Sequence, residues 1–238
     1  MRPITLHEII PLQRPIQHFS DCYLISSISA LARSKDGQKI LSQNIAHRGD
    51  GFRIRFQNVD EHRLEYLVTQ EDIQRLIPLD KYYNEAIINC PQNPIIKAIE
   101  VAMNKLLKEH PHKKPFVSRL ARCHERFEYN KPSNFLEIFT GQKPIILNEG
   151  GLRMSLTHDK DKAIELLERI DKADDFAFIA GTGLKDRKRF AKVHCFAIEG
   201  VNTENQYLQV YESRNRESIE VPFEKAIKIF KFLTGYLR

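Results

Sequence analysis

The sequence predicts an α+β protein, and three observations carry that expectation. Apolar residues recur at helical spacing in the first half of the chain, most clearly at 24–32 and 94–107. Short alternating runs crowd into the last third, with turn residues between them. No internal repeat or low-complexity tract interrupts the 238 residues. The chain therefore reads as one domain, 1–238, with a helical lobe over about 1–145 and a β-rich lobe over about 146–238. A cleft between the lobes is the natural place for an active site.

Taken in order, the opening coil ends at Asp21, placed as an N-cap before Leu24, Ile25, Ile28, Leu31 and Ala32. Lys35-Asp36-Gly37 marks a break. GFRIRFQNV sets Phe52, Ile54 and Phe56 against Arg53 and Arg55, as in a half-buried strand, and HRLEYLVT is its hairpin partner across Asp60-Glu61. The segment 94–110 is a helix opened by Pro94, with Ile95, Ile99, Met103, Leu106 and Leu107 as its apolar stripe. Residues 111–134 are polar and read as loop and short helix. A helical turn through Asn134-Phe135-Leu136 leads to a turn at Gly141, and Gly150-Gly151 marks a further bend. Residues 161–173 form an amphipathic helix on Ala163, Ile164, Leu167 and Ile170. Strands FAFIAGTG, VHCFAIEGV, QYLQVYES and SIEVPF follow, and FEKAIKIFKFL reads as a closing amphipathic helix.

Composition narrows the function classes. Hydrophobic residues make up 42% and charged residues 29% of the chain, ordinary for a globular protein. The formal net charge is +6, but the densest basic run, KDRKR at 185–189, has no interleaved aromatics for base stacking. Specific nucleic-acid binding is not expected. No window approaches the roughly 20 apolar residues of a membrane span. MRPITLHEIIPLQRP lacks the apolar core of a secretory signal. The four cysteines, Cys22, Cys90, Cys123 and Cys195, form no CxxC motif and no zinc-like spacing, so no metal site is expected. Reduced thiols in a cytosol-like compartment fit this usage.

Chemistry points to Cys22. A thiol at a helix start lies against N–H groups without intrahelical partners and the positive end of the helix dipole, which favour thiolate, the nucleophilic form. Such a nucleophile needs a proton shuttle. Among nine histidines, His194 stands out because it sits in an apolar strand, where the alternative is an internally bonded core histidine. Alternation puts His194, Phe196 and Ile198 on one face and Cys195, Ala197 and Glu199 on the other. Asn215, at the end of the returning strand, is placed to orient the imidazole, or is turn chemistry. The Cys22 N–H and the Gln17 side-chain amide are candidate donors to an oxyanion.

Together these residues resemble the protease core of the calpain family, within the papain-like cysteine peptidases. The family's nucleophile motif, roughly Gln-Gly-x-x-Gly-Asp-Cys-Trp before a Leu/Ala-rich helix, is similar to Gln17-His18-Phe19-Ser20-Asp21-Cys22-Tyr23 before LISSISALA. Its Gly-His-Ala-Tyr-x-Val-x-Gly segment is matched by Val193-His194-Cys195-Phe196-Ala197-Ile198-Glu199-Gly200, and its Arg-Asn-Pro-Trp-Gly segment at Arg214-Asn215 alone. The resemblance implies a papain-like fold, with a helical N-terminal lobe and an antiparallel β-sheet lobe flanking the active-site cleft. It implies a thiol-dependent endopeptidase acting on protein or peptide substrates, with Cys22 as nucleophile, His194 as general base and acid, Asn215 as orienter and Gln17 in the oxyanion hole. No cofactor is implied, and calcium dependence is not expected, because the calcium sites of the animal core have no counterpart here. A compact core of this kind resembles bacterial proteins, cytoplasmic or delivered into a host cell without a conventional signal peptide. Two alternatives stay open. The same triad serves deamidases, transglutaminases and isopeptidases. Ser20 and Val193 replace family glycines, and Gln17 lies five rather than six residues before the cysteine, as in a protease fold kept only for binding.

Overall fold

A computed structural model describes residues 1–15, 22–75, 93–110, 131–148, 156–182 and 194–238. The architecture is α+β with two antiparallel sheets. The first has four strands in the order β1-β2-β3-β4: β1 (Arg2–Pro3), β2 (Ile45–Arg48), β3 (Gly51–Val59) and β4 (His62–Val68). The second has six, in the order β5-β10-β6-β7-β8-β9: β5 (Ile145–Leu147), β6 (Phe176–Thr182), β7 (Cys195–Asn202), β8 (Tyr207–Glu212), β9 (Glu217–Pro222) and β10 (Phe230–Leu237). The helices are α1 (Leu6–Ile9), α2 (Cys22–Arg33), α3 (Lys35–Asn44), α4 (Gln70–Arg75), α5 (Pro94–Glu109), α6 (Pro132–Thr140), α7 (Lys160–Asp171) and α8 (Phe223–Ile229).

The β3–β4 hairpin turns through Asp60 and Glu61, both with positive φ (50° and 67°), as its two-residue turn requires. Asn93 caps α5 by accepting from the Ile95 N–H at 2.9 Å, with Pro94 in the first turn.

The sequence expectation misses β1, α1 and α4, and four further departures are instructive. The break at Lys35-Asp36-Gly37 is only the junction of two helices, because Ser34 caps a second one, accepting from the Gly37 N–H at 2.9 Å. Gly37 has to be glycine: a β-carbon there would come within 2.2 Å of the Leu31 carbonyl oxygen, where α3 closes on α2. Short strands β2 and β5 were not expected, and each takes its conformation from a longer neighbour, β3 and β10 respectively. The closing helix ends at Ile229. The chain then extends as β10, held on both edges by β5 and β6, so cross-strand partners override the helical pattern of FKFL.

Two apolar layers flank the six-stranded sheet. One face carries Phe178, Ala180, Phe196, Ile198, Leu208 and Val210 against α7 and α8. The opposite face carries Ala177, Ile179, Cys195, Ala197 and Tyr211 into a core shared with α2, α5, α6 and the four-stranded sheet. Helix α2 is buried at every position from Tyr23 to Ala32. It lies at the junction, packed on β6 and β7 on one side and on α3 and α6 on the other. Asp175, just before β6, reaches across the same junction. Its carboxylate accepts from the Lys35 and Asp36 N–H groups, both at 2.9 Å, and from the Ser34 hydroxyl at 3.0 Å, capping α3 from outside.

Candidate active site

Cys22 is the first residue of α2 and is partly exposed. Burial of the next ten residues fixes where that helix end sits. The serines within it are largely absorbed by the backbone: Ser27 Oγ donates to the Tyr23 carbonyl and Ser29 Oγ to the Gln13 carbonyl, each at 2.6 Å. The expected N-cap Asp21 and the expected oxyanion donor Gln17 lie outside the described residues, as do Cys90 and Cys123.

His194 immediately precedes β7 and is 1% exposed. Thr182, at the end of β6, holds its peptide groups from both sides. The His194 N–H donates to Thr182 Oγ1 at 3.1 Å, and the Thr182 N–H donates to the His194 carbonyl at 2.8 Å. The imidazole meets the Phe196 ring edge-on, with centroids 4.8 Å apart. Its Nε2 is 2.7 Å from Glu212 Oε1. Nδ1 has no nitrogen or oxygen partner among the described residues, which leaves that nitrogen for the sulfur of Cys22. The thiol–imidazole contact is looser than a strict hydrogen bond, as is common in a resting site.

Here the structure departs from the sequence expectation. Asn215 was placed beside the imidazole, but it is exposed and contributes only its backbone N–H. Glu212 holds the ring instead. The cause is strand register: Ala197 pairs with Tyr211, so the next residue of β8 comes level with the start of β7. The turn beyond then folds back over the carboxylate. The Arg214 N–H donates to Oε1 at 2.9 Å and the Asn215 N–H to Oε2 at 3.1 Å. A signal for Glu212 was present in QYLQVYES, where alternation puts Leu208, Val210 and Glu212 on one face. A carboxylate ending an otherwise apolar face is a buried acid in search of a partner.

Cys195 is the second residue that the sequence reading left without a role. It is 7% exposed, it belongs to the core face against which Cys22 packs, and its thiol hydrogen-bonds to Cys22. That bond does most to hold the Cys22 thiol well below its ordinary range. Burial opposes it, and the hydrogen bond and charge of His194 add to it. Burial alone would lower His194, yet the hydrogen bonds its ring donates to Cys22 and Glu212 and the charge of the thiolate outweigh it, and the imidazole ends above its usual value. Burial pushes the Glu212 carboxyl up. The His194 hydrogen bond and charge, with the Arg214 and Asn215 N–H groups, bring it below the usual carboxylate range. The three shifts point the same way, towards thiolate, imidazolium and carboxylate together. Such a row can attack an electrophilic carbon through sulfur and deliver a proton from the adjacent nitrogen.

The far end of α2 has its own polar cluster. Arg33 is ion-paired with Glu199 of β7, and Arg14 lies 3.5 Å from the same carboxylate oxygen. Arg33 also donates to the Gln13 carbonyl at 3.2 Å, and the Tyr211 hydroxyl donates to the Pro15 carbonyl at 3.1 Å. These bonds fasten residues 13–15 to the helix and sheet. Among the described residues no group of three or more His, Cys, Asp and Glu side chains converges as a metal-ligand set, and no helix is long and apolar enough to cross a membrane. No known protein-family model matches the chain, and no curated protein matches it in sequence at a significant level.

Proposed function

We propose that the chain is a thiol-dependent peptidase of papain-like type, acting through Cys22, His194 and Glu212. The single observation that supports this most is the row of a partly exposed thiol, a buried imidazole and a buried carboxylate at the junction of a helix N-terminus and a sheet. In this reading the Cys22 thiolate attacks the carbonyl carbon of a peptide bond. The developing oxyanion is met by the Cys22 N–H, with Gln17 the expected second donor. His194 protonates the leaving amine from Nδ1, while Glu212 keeps the ring oriented through Nε2 and stabilises its charged form. A water then gives its proton to neutral His194 and attacks the acyl-enzyme carbonyl, and collapse of the adduct releases the acid and expels the Cys22 thiolate, restoring the thiolate–imidazolium pair. Glutamate in the orienting position suits a site whose base is completely buried, because the carboxylate offsets the imidazolium charge there.

Deamidation and acyl transfer begin with the same attack, so substrate mass separates the outcomes. Chain cleavage supports the peptidase, whereas a gain of about 1 Da without cleavage would replace it with a deamidase. The prior test is an epoxysuccinyl activity probe at neutral pH. Expected is labelling mapped to Cys22, absent from Cys22→Ser and from His194→Gln, with both variants retaining the wild-type circular dichroism. A Cys22 that stays inert while the protein is folded would overturn the enzymatic reading.

A further inference from the structure

The nucleophile of the proposed reaction has a second thiol as its neighbour, and the two differ in access. Cys22 is partly exposed at the helix end, while Cys195 is 7% exposed within the core face beneath it. Both are reduced, and across the α2–β7 seam Cys22 packs against the core face that holds Cys195, whose thiol acts on it. An oxidant arriving from solvent therefore meets Cys22 first, and whatever forms there is already against a thiol that solvent does not reach.

We propose that Cys22 and Cys195 form a reversible oxidation site, in which a hydroperoxide converts Cys22 to a sulfenic acid and Cys195 resolves it to an intramolecular disulfide. This rests on the nucleophile reading above, because it needs the same thiolate. The atoms balance as follows. The Cys22 thiolate displaces one oxygen of hydrogen peroxide, and His194 protonates the departing hydroxide to water, leaving Cys22–SOH. The Cys195 sulfur then attacks the Cys22 sulfur. The S–O bond breaks, the hydroxide takes the Cys195 proton and leaves as a second water, and the S–S bond remains. Two electrons pass from the thiol pair to the peroxide, and a small dithiol returns them. While the bond stands, the sulfur cannot attack a substrate and the site is silent. Without Cys195 the sulfenic acid has no other thiol beside it among the described residues and goes on to sulfinic acid, which thiols do not reverse.

The test uses the full-length protein with hydrogen peroxide and peptide mapping by mass spectrometry. In the wild type, exposure should remove iodoacetamide labelling of Cys22, yield a Cys22–Cys195 cross-linked peptide about 2 Da lighter than the two thiols, and return more than about nine-tenths of the labelling on dithiothreitol treatment. Cys195→Ala should lose the labelling irreversibly, with about 32 Da added to the Cys22 peptide. Wild-type protein that accumulates sulfinic Cys22 as fast as Cys195→Ala, with no cross-link, would overturn the proposal. A Cys22 that iodoacetamide never labels, before any peroxide, would instead fail the peptidase reading, so the two failures are told apart at the first step.

Discussion

Each end of α2 lies near an acid of the six-stranded sheet, Glu212 of β8 and Glu199 of β7, and the two acids are treated differently. At the N-terminal end Glu212 faces His194, and both of its oxygens are engaged, by the ring nitrogen and by the N–H groups of Arg214 and Asn215. At the C-terminal end Glu199 faces Arg33 and Arg14 through one oxygen, and its other oxygen has no partner among the described residues. The cationic partner differs most. Arginine stays charged at any pH the protein meets, whereas imidazole gains and loses its proton near neutrality. The far end is therefore an anchor of constant charge, and the near end is free to change charge without releasing the helix. On the proposed reading, a site that shuttles a proton is built beside an arginine-held joint.

The sharpest way to break this comparison is to remove the titrating end's acid. Glu212→Gln should lower kcat/KM on a peptide amide by about 10²–10⁴-fold, the range expected when an orienting carboxylate is lost, with little change in thermal stability. The same variant should narrow the pH profile from its alkaline side. Activity needs thiolate and imidazolium together, so it falls as pH drops through the lowered Cys22 value and again as pH rises through the raised His194 value. Glu212 supports the second limb, so that limb should move down when its charge is removed, while the acid limb stays. In Cys195→Ala the acid limb should move up instead, since the Cys195 hydrogen bond is what lowers Cys22 most. Stopped-flow alkylation of Cys22 against pH reads the acid limb directly.

The constant-charge end should respond in stability. Glu199→Ala leaves Arg33 and Arg14 facing each other without their carboxylate, at a cost of about 2–3 kcal/mol, or a Tm lower by roughly 4–10 °C. Probe labelling of Cys22 below that temperature should persist. If Glu199→Ala instead abolishes labelling with no change in Tm, the division between anchor and reactive end is wrong. A smaller effect is expected at the third carboxylate of the junction. Asp175→Ala removes the external cap of α3 and should cost about 1 kcal/mol in denaturant unfolding. The smallest is Asn215→Ala, which should stay within about twofold of wild-type turnover, because its backbone N–H, unchanged by the substitution, is its only part in the site.

The candidate residues that rest on local pattern could be picked out before the fold was known. Cys22 stands out by its place at a helix start, and His194 by its presence in an apolar strand. The β3–β4 hairpin and α5 follow from alternation and from Pro94 in the same way. What escaped depends on partners far along the chain. Whether Glu212 or Asn215 meets the imidazole is decided by the register of β8 on β7 and by the fold-back of the turn after it, which residue spacing does not encode. Cys195 gains its role only because α2 lies on β7. FKFL reads as helix by periodicity and becomes strand because β5 and β6 offer two open edges.

The strand order sets a timetable for synthesis. Thr182, which grips the peptide of His194, is paired with Phe230, the first residue of β10, and that strand is inserted between β5 and β6. A ribosome delivers the nucleophile, the base and the carboxylate before it delivers the strand that braces them. Until residues past 230 emerge, β6 has an open edge where β10 belongs and Thr182 beside His194 lacks its cross-strand partner. A nascent chain ending before Phe230 is accordingly expected to show no probe labelling of Cys22, so that on the proposed reading the thiol stays unreactive until folding is complete.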